Sequence, residues 1–371
     1  MQPAGFRLTT LPDLAKAGFD SIIDARSPSE FAEDHLPGAV NLPVLDDAQR
    51  AEVGTIYKQV SAFHARKIGG ALAAANVARH VAGPLARHDG GWRPLVYCWR
   101  GGQRSGAFST ILAQIGWRTA RLEGGWKSWR ALVLRQVQDL GPPSPLVVLD
   151  GNTGSAKTEI LQRLSRRGVQ VIDLEGLANH RGSLFGAMAD GQPPQKLFES
   201  RLAVALAALD PSRPAVIEAE SSRIGDLSVP RAVWQALCAA PRLRLDVPLA
   251  ARAVYTARAY ADAVAQPGRV EATVARLAPL HPAERIAAWH AMAGRDEWAA
   301  LACGLMRDHY DPRYEKHRAR HARNERATIP VARLDEAGLE NAAAAVEAAV
   351  NRLALPRPSA GEAAGRMDPQ P

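Results

Sequence analysis

The chain has 371 residues, of which 47% are hydrophobic and 23% charged, and its formal net charge at pH 7 is +8. This length accommodates two domains of ordinary size. The sequence contains no apolar run long enough to cross a bilayer and no signal-peptide pattern at its start, which argues against a membrane or secreted protein. Three cysteines without metal-ligand spacing predict neither a disulfide framework nor a zinc site, so we expect a reducing, cytoplasmic location.

The first part of the chain alternates short strand patterns with helical ones, which is typical of a parallel sheet. Strands are predicted at residues 21–26, at the end of 30–43 after a short helix and a Pro-Gly turn, at 93–97, and at Thr119–Leu122. A Gly-Gly turn at 124–125 then leads into a helix. The Pro-rich segment 139–145 is the predicted linker, so the first domain comprises residues 1–138.

A cysteine stands where the strand at 93–97 ends, in the sequence YCWRGGQRSG. The chain then turns into a helix, whose first N–H groups and positive dipole end attract an anion. The turn contains two glycines, which permit unusual backbone angles, and two arginines: Arg100, Gly101, Gly102 and Arg104. These features favour the nucleophilic thiolate form of Cys98. The alternative is a buried cysteine that acts as a small hydrophobic residue.

The second motif, GNTGSAKT, lies between an apolar strand pattern at Leu146–Leu149 and a helical pattern. It nearly matches the phosphate-binding loop Gly-x-x-x-x-Gly-Lys-Ser/Thr, in which backbone N–H groups surround a diphosphate, the lysine neutralises its charge and the hydroxyl binds Mg²⁺. The departure is an alanine where the pattern has its second glycine, and we expect its methyl group to restrict the loop or crowd the phosphate. The predicted diphosphate site comprises Gly151, Asn152, Thr153, Gly154, Ser155, Ala156, Lys157 and Thr158.

A second α/β domain is predicted over residues 146–354, with further strands at 169–176, 214–221 and 242–248. Acidic residues near the ends of these strands are candidate metal partners: Asp173, Glu175, Glu218 and Glu220. For each of them the alternative is a helix cap or a surface carboxylate.

From residue 249 to 305 the apolar spacing is helical throughout. Four residues on apolar helical faces in the second half of the chain are predicted to lie in the core: Cys238, Trp289, Trp298 and Cys303. The last stretch, 355–371, is rich in proline, glycine and alanine and is predicted to be disordered.

The positive net charge predicts a polyanionic partner. The densest basic region, residues 307–326, holds seven lysines or arginines, three histidines and two tyrosines. Because four acidic residues share this stretch, the alternative is a solvated helix with salt bridges. The candidates for nucleic-acid contact are Arg313, Lys316, Arg318, Arg320 and Arg323.

The segments IIDARSPSEFAEDHLPGAVNLP and YCWRGGQRS make residues 1–135 similar to a rhodanese domain. Together with LEGGWKSWR, DLEGLANHRGSLFG, QPPQKLFES and EAESSRIG, they give residues 8–330 a resemblance to the tRNA 2-selenouridine synthases. This resemblance implies an α/β fold in which an N-terminal rhodanese-like parallel-sheet domain precedes a P-loop α/β domain with a helical C-terminal part. The sequence departs from the family pattern at Ala156, where a glycine is expected.

The resemblance also implies a function. The family converts 2-thiouridine at the tRNA wobble position into 2-selenouridine with selenophosphate as donor, and an S-geranyl-2-thiouridine made from geranyl diphosphate is the intermediate. By carry-over, Cys98 would hold selenium as a selenyl-sulfide. The loop after Cys98 would hold the anionic donor through Arg100, Gly101, Gly102, Gln103, Arg104 and Ser105.

We expect the loop at 151–158 to bind the diphosphate of geranyl diphosphate rather than ATP, because both donors are already activated. The expected partners are tRNA that carries 2-thiouridine in its anticodon loop and a supply of selenophosphate. We expect no protein partner and no tightly bound cofactor, with Mg²⁺ as the one candidate ion.

Three alternatives remain open from the sequence. Cys98 and Arg104 have the spacing of cysteine-dependent phosphatases, some of which share the rhodanese fold. A rhodanese-fold sulfurtransferase joined to a nucleotide-binding P-loop domain is the second. The third is a tRNA-binding protein with two degenerate domains, against which the intact Cys98, Lys157 and Thr158 argue.

Overall fold

The computed structural model describes residues 2–319 and 321–353, without the side chain of His317. The candidate Arg320 and the predicted disordered stretch 355–371 therefore lie outside the described residues. The chain forms two compact units. The first comprises the described residues up to Leu140 together with Pro193–Ala208, and the second comprises Gly141–Gln192 and the described residues from Leu209 onwards.

A parallel five-stranded sheet forms the centre of the first unit. Its strands are β1 (Ala4–Phe6), β2 (Ser21–Asp24), β3 (Ala39–Asn41), β4 (Pro94–Tyr97) and β5 (Ala120–Leu122). They lie in the order β1-β5-β4-β2-β3. All four strands predicted in this region are confirmed, and the three-residue β1 is the additional one. Every residue of β4 is buried, as expected for a central strand of a parallel sheet.

Six helices precede residue 135 in this unit: α1 (Asp13–Lys16), α2 (Pro28–Glu33), α3 (Asp47–Gln59), α4 (Ala62–Ala82), α5 (Gln103–Ile115) and α6 (Gly125–Leu134). Helix α3 begins with a capping box, in which the Asp46 carboxylate accepts from Gln49 N and the Gln49 side chain accepts from Asp46 N. Phe108 and Leu112, four residues apart on α5, pack with Val96 of β4 in the core. A π-helical segment, Arg135–Leu140, follows α6 and includes the start of the predicted linker.

The later part of the chain contains strands and helices in this order: β6 (Leu146–Gly151), α7 (Lys157–Arg166), β7 (Gln170–Ile172), α8 (Leu174–Ala178), α9 (Gln195–Ala207), β8 (Ala215–Glu218), β9 (Arg223–Ile224), β10 (Leu227–Ser228), α10 (Arg231–Ala239), β11 (Arg242–Asp246), α11 (Leu249–Ala259), α12 (Ala261–Val264), α13 (Arg269–Ala275), α14 (Ala283–Gly294), α15 (Trp298–Leu305), α16 (Asp311–Ala319), β12 (Glu325–Pro330) and α17 (Glu336–Arg352). The second unit is built on a parallel sheet of order β12-β11-β6-β8-β7. Strands β9 and β10 form a separate antiparallel pair. The predicted fold class is confirmed.

Some details of the second unit differ from the sequence predictions. Strand β12 was not predicted, because its first four residues alternate between half-buried and exposed positions and only Ile329 is buried, so its sequence gives no apolar pattern. Trp289 is buried as predicted, whereas Trp298 is half-buried against the same cluster. Cys238 and Cys303 are half-buried rather than fully enclosed. Within the described residues, no helix has the length and apolar content to span a bilayer.

Helix α9 belongs to the first unit although it follows β7 in the chain. The sequence prediction assigned it to the P-loop domain. Most of its residues from Leu197 to Leu206 are buried on several sides, so its periodicity does not show which sheet it covers. It is held to the first unit by a buried ion pair between Glu199 and Arg130 of α6 and by an exposed pair between Lys196 and Glu33 of α2.

These two ion pairs allow the attachment of α9 to be tested. We expect Glu199→Ala to lower the free energy of unfolding of the first unit by about 3 kcal/mol, because it leaves the Arg130 guanidinium buried without its partner. Glu33→Ala, which removes the exposed pair, should cost less than about 1 kcal/mol. Urea unfolding followed by tryptophan fluorescence measures both. Equal costs for the two variants would contradict the attachment through α6.

Candidate functional site

Cys98 directly follows β4, and the short loop after it leads into α5. The cysteine is only 3% exposed, and its Sγ lies 3.1 Å from Ser105 Oγ. Ser105 Oγ in turn donates to the Gly102 carbonyl oxygen at 3.3 Å. The N-cap of α5 is Gly102, which has no side chain to bond the first N–H groups of the helix. The buried thiol therefore lies beside the N-terminus of α5, and the N-cap residue of this helix has no side chain that could cap it.

The turn that begins α6 holds this cysteine loop in place. Trp126 N donates to the Cys98 carbonyl oxygen at 2.8 Å, and Lys127 N donates to that of Trp99 at 3.1 Å. Gly125 has a φ of +58°, and a Cβ there would lie 2.3 Å from the Cys98 carbonyl oxygen and 2.5 Å from Gly101 N. The Gly-Gly turn was predicted from the sequence, but its contact with the cysteine loop was not.

Arg104 has a carboxylate partner that sequence reasoning missed. Its Nη1 lies 2.5 Å from Glu30 Oε2 and its Nη2 lies 3.2 Å from Glu30 Oε1. Arg50 Nε approaches the same carboxylate at 3.1 Å. Burial acts to raise the pKa of Glu30, but the hydrogen bond and charge of Arg104 outweigh it and lower that pKa. Glu30 is therefore a carboxylate that positions Arg104, whereas Arg100, Gly102 and Gln103 are exposed.

A second buried ion pair supports the same region. Arg26 Nη2 lies 2.6 Å from Asp24 Oδ2 and donates to the Asp34 carbonyl oxygen at 2.6 Å. Its guanidinium carbon lies 5.1 Å from the Trp126 ring centre, and Trp126 Nε1 donates to Asp34 Oδ2 at 2.8 Å. Burial raises the pKa of Asp34. These contacts fix the end of β2 and the start of α6, which carry the supports of the cysteine loop.

The second candidate site is the loop between β6 and α7. Ala156, the N-cap of α7, adopts a left-handed conformation with φ +57° and ψ +31°. This explains why the pattern has glycine there, since the conformation costs an alanine about 1–2 kcal/mol. Ala156 is 5% exposed and packs in the core beside Val147 and Ile160. The alanine therefore acts on the loop through its backbone conformation. Gly154, with φ +81°, lies so close to α11 that a Cβ would meet Thr256 Oγ1 at 2.5 Å.

Lys157 and Thr158 open α7 beside this loop. Lys157 is buried, its Nζ donates to the Gly151 carbonyl oxygen at 3.3 Å, and Nζ lies 5.9 Å from the Tyr314 ring centre. Burial acts to lower the pKa of Lys157, but Tyr314 and the nearby carboxylates raise it, so the side chain stays a cation. Thr158 Oγ1 donates to Glu175 Oε2 at 2.8 Å.

The acidic residues predicted near this loop take different roles. Asp173 is the N-cap of α8 and accepts from Gly176 N, which is the helix-cap alternative. Glu218 accepts from Glu175 N at 2.7 Å, and burial raises the pKa of Glu218 well above its usual range. Burial and the charge of Glu175 likewise raise the pKa of Glu220 well above its usual range. Among the described residues, no three His, Cys, Asp or Glu side chains are grouped to hold a metal ion.

Two arginines bring further positive charge to the phosphate loop. Arg318, predicted as a tRNA contact, donates to Asn152 Oδ1, and its Nε lies 3.9 Å from Asp150 Oδ2. Arg252 donates to the Thr153 carbonyl oxygen at 3.1 Å and forms a two-bond ion pair with Asp311.

The remaining candidates of the basic stretch lie elsewhere. Arg313 contacts the His309 ring, while Lys316 and Arg323 are exposed. The structure thus brings Arg318 to the loop and leaves Lys316 and Arg323 on the surface.

Two cavities meet at the phosphate loop. One, of about 400 Å³, is lined by Thr153–Glu159 and the Tyr314 ring, among others. The other, of about 70 Å³, has almost entirely apolar walls formed largely by α11, α15 and their neighbours. They share four residues: Thr153, Ser183, Thr256 and Tyr260. The loop predicted to bind diphosphate therefore adjoins an apolar recess.

Comparison with known proteins assigns the family. A rhodanese-like domain profile matches residues 9–132, and the profile of the tRNA 2-selenouridine synthase AAA domain matches residues 144–278. A tRNA 2-selenouridine synthase from Verminephrobacter eiseniae is 35% identical over 331 residues, which cover 79% of this chain and 87% of that protein. The chain belongs to the tRNA 2-selenouridine synthase family.

Further similar proteins of the same name come from Chromohalobacter salexigens and Hahella chejuensis. They are 39% and 38% identical over 242 and 250 residues, or 65% and 64% of this chain. These matches span 65% and 63% of the relatives' own lengths, just under two thirds. Membership in the tRNA 2-selenouridine synthase family confirms the resemblance stated from the sequence motifs, and with it the order of a rhodanese domain before a P-loop domain.

The contact between the α6 turn and the cysteine loop can be tested with two glycines that both have positive φ. Gly125→Ala should lower the free energy of unfolding by about 2–4 kcal/mol, since the new Cβ meets backbone atoms that cannot move aside easily. Gly38→Ala, at φ +71° with nothing within 4 Å, should cost only about 1–2 kcal/mol from its backbone conformation. Chemical denaturation measures both costs, and a Gly125→Ala cost no larger than that of Gly38→Ala would contradict the contact.

Proposed function

We propose that this protein is a tRNA-modifying enzyme that converts 2-thiouridine in the anticodon loop into 2-selenouridine. The relatives that define its family carry the name of that activity. The observation that carries the proposal is the position of Cys98, buried beside Ser105 at the N-terminus of α5. At this position the thiol and the adjacent N–H groups can hold an anionic selenium donor.

Selenophosphate is the proposed donor, and its charge suits the loop that follows Cys98. Arg100 is exposed at this loop and available to a mobile anion. Arg104 is paired through both terminal nitrogens with Glu30, which disfavours the phosphatase alternative, because that reaction needs this arginine on the phosphate. A reducing, cytoplasmic location, in which Cys98 stays a free thiol, is part of the proposal.

Geranyl diphosphate is the proposed second substrate, bound by the loop at residues 151–158. Lys157 and the helix start would hold the diphosphate, and the adjoining apolar recess favours a ligand with a hydrocarbon chain over ATP. The thiocarbonyl sulfur of the base attacks C1 of the geranyl chain, the C1–O bond breaks, diphosphate leaves with the electron pair, and the base loses its N3 proton. Lys157 stabilises the growing charge on the leaving group.

The second step follows from the first. Alkylated sulfur is a better leaving group than a thiocarbonyl sulfur. The selenium of selenophosphate, already at the selenide oxidation level, attacks C2 of the base, the geranyl thiolate leaves with the electron pair of the C2–S bond, and water then cleaves the Se–P bond to release phosphate. Cys98 is proposed as the residue beside which this donor is held.

Mg²⁺ would fit the diphosphate site through Thr158 and Glu175, whose side-chain oxygens lie 2.8 Å apart. A magnesium ion in such a site usually needs only one or two protein oxygens besides phosphate and water. When bound, it would neutralise part of the diphosphate charge.

Nucleoside mass spectrometry tests the function and the two residues in one experiment. With geranyl diphosphate and selenophosphate, we expect the wild type to convert 2-thiouridine tRNA to 2-selenouridine, and Cys98→Ala to stop at S-geranyl-2-thiouridine. Lys157→Ala should slow geranylation roughly 100-fold or more, yet still selenate tRNA that was geranylated beforehand.

Cys303→Ala and Lys16→Ala, which remove a half-buried cysteine and an exposed lysine, serve as controls. Equal loss of both reactions in Lys157→Ala would overturn the role of the phosphate loop. Unmodified tRNA with the wild type would overturn the function.

The apolar recess can be tested with two valines. Val264 lines the recess and is half-buried, so Val264→Phe should fill it and raise the geranyl diphosphate concentration for half-maximal geranylation roughly tenfold. Inhibition by inorganic diphosphate should not change, because the phosphate loop is untouched. Val254→Phe, at an exposed position on α11, is the matched control. Two results would show that the hydrocarbon chain does not occupy the recess. In one, Val264→Phe leaves the geranyl diphosphate concentration for half-maximal geranylation unchanged. In the other, it weakens inhibition by inorganic diphosphate by the same factor.

A further inference from the structure

A large cavity of the first unit lies outside the loop of Cys98 itself. It has a volume of about 870 Å³ and is formed by α3, α4 and the first turn of α5. We call it the α3–α4 groove. Gln103 and Arg104 are part of its lining, and the next residue, Ser105, contacts Cys98 Sγ. The α3–α4 groove therefore reaches the first turn of α5, the helix that follows the cysteine loop.

The walls of the α3–α4 groove are positively charged. Between residues 50 and 79 the sequence has five arginines or lysines and one acidic residue, Glu52. Lys58 and Arg66 line the groove and are exposed, and Lys67 is exposed beside them. Arg50, also in the lining, approaches Glu30 together with Arg104. Such a concentration of positive charge attracts a polyanion.

Aromatic side chains are exposed on the two helices that form the groove. Tyr57 of α3, in the groove lining, is 60% exposed, and Phe63 in the first turn of α4, outside the lining, is 72% exposed. The intervening Val60 is also exposed. Exposed aromatic rings between lysines and arginines are the surface on which unpaired bases stack, while the cations hold the phosphates.

Glycines leave room for such a strand. Gly54 and Gly70 both line the groove, and a Cβ at either would meet nothing within 4 Å. The groove volume of about 870 Å³ lies within the range of roughly 300–1,000 Å³ that is usual for ligand-binding pockets.

We propose that the α3–α4 groove binds the single-stranded RNA next to the modified base, with bases stacked on Tyr57 and Phe63 and phosphates at Lys58, Arg66 and Lys67. This inference rests on the proposed function, since it takes the substrate to be an anticodon loop. The charge of the groove favours RNA over a second copy of this basic chain. On this proposal the groove holds the RNA at the first turn of α5, next to the cysteine loop, and the exposed Lys316 and Arg323 are not required for that binding.

The test is the affinity of the full chain for a fluorescently labelled anticodon stem-loop that carries 2-thiouridine, measured by anisotropy. Tyr57→Ala and Phe63→Ala should each weaken binding roughly fivefold or more, as expected for the loss of a stacking platform. Lys58→Glu with Arg66→Glu should weaken it at least tenfold and reduce the salt dependence by roughly 0.7 per lost phosphate contact. Circular dichroism should show all variants folded, because the changed side chains are exposed.

Controls with matched chemistry separate the groove from general effects. Ile115→Ala removes an exposed apolar side chain and Arg87→Glu reverses an exposed charge, both in the first unit but outside the groove lining, and both should bind like the wild type. Wild-type affinity in the groove variants, with loss in Lys316→Glu and Arg323→Glu instead, would overturn the proposal. The proposal would also be overturned if the groove variants changed the molar mass measured by light scattering but left the RNA affinity unchanged.

The outcomes also separate the groove from the proposed function. If the groove variants lose RNA affinity but the wild type forms no modified nucleoside, the function fails and the groove stands. If the wild type modifies tRNA and the groove variants bind it unchanged, the groove fails and the function stands. Absence of RNA binding by the wild type would overturn both.

Discussion

Both candidate sites depend on the same backbone constraint. A buried parallel strand ends, and within a few residues the chain must reverse into a helix whose N-terminus faces the site. The reversal takes the backbone into the left-handed region at Gly101, with φ +69°, and at Ala156, with φ +57°. At Gly101 a side chain is excluded, because a Cβ would lie 2.6 Å from the Leu122 carbonyl oxygen. At Ala156 a methyl group is tolerated because it enters the core.

The two loops place charge in different ways. Beside Cys98, the guanidinium of Arg104 is balanced by Glu30, so the exposed Arg100 is the cation at this loop without a carboxylate described next to it. At the phosphate loop, burial acts to lower the pKa of Lys157, but Tyr314 and the nearby carboxylates raise it, so the lysine keeps its charge. Burial also raises the pKa of Glu218 and Glu220.

The sequence predicted what is local and missed what is paired through space. The strand before Cys98, the phosphate loop and the Gly-Gly turn are contiguous patterns whose geometry follows from their own residues. The pairing of Arg104 with Glu30 joins residues 74 apart, and that of Arg318 with Asn152 joins residues 166 apart. Neither pair has a sequence signature. Arg318 lies in the basic stretch that was predicted to contact nucleic acid. Only the fold shows that its guanidinium contacts the phosphate loop.

Helix α9 has a consequence for how the chain is made. Its contacts with α2 and α6 complete the first unit, yet it is synthesised after β6, α7 and β7 of the second. The N-terminal unit therefore cannot finish folding as it leaves the ribosome, and its last packing step waits until residue 208 has emerged. Because the backbone passes from one unit to the other three times, no single cleavage separates the rhodanese part from the P-loop part with both intact.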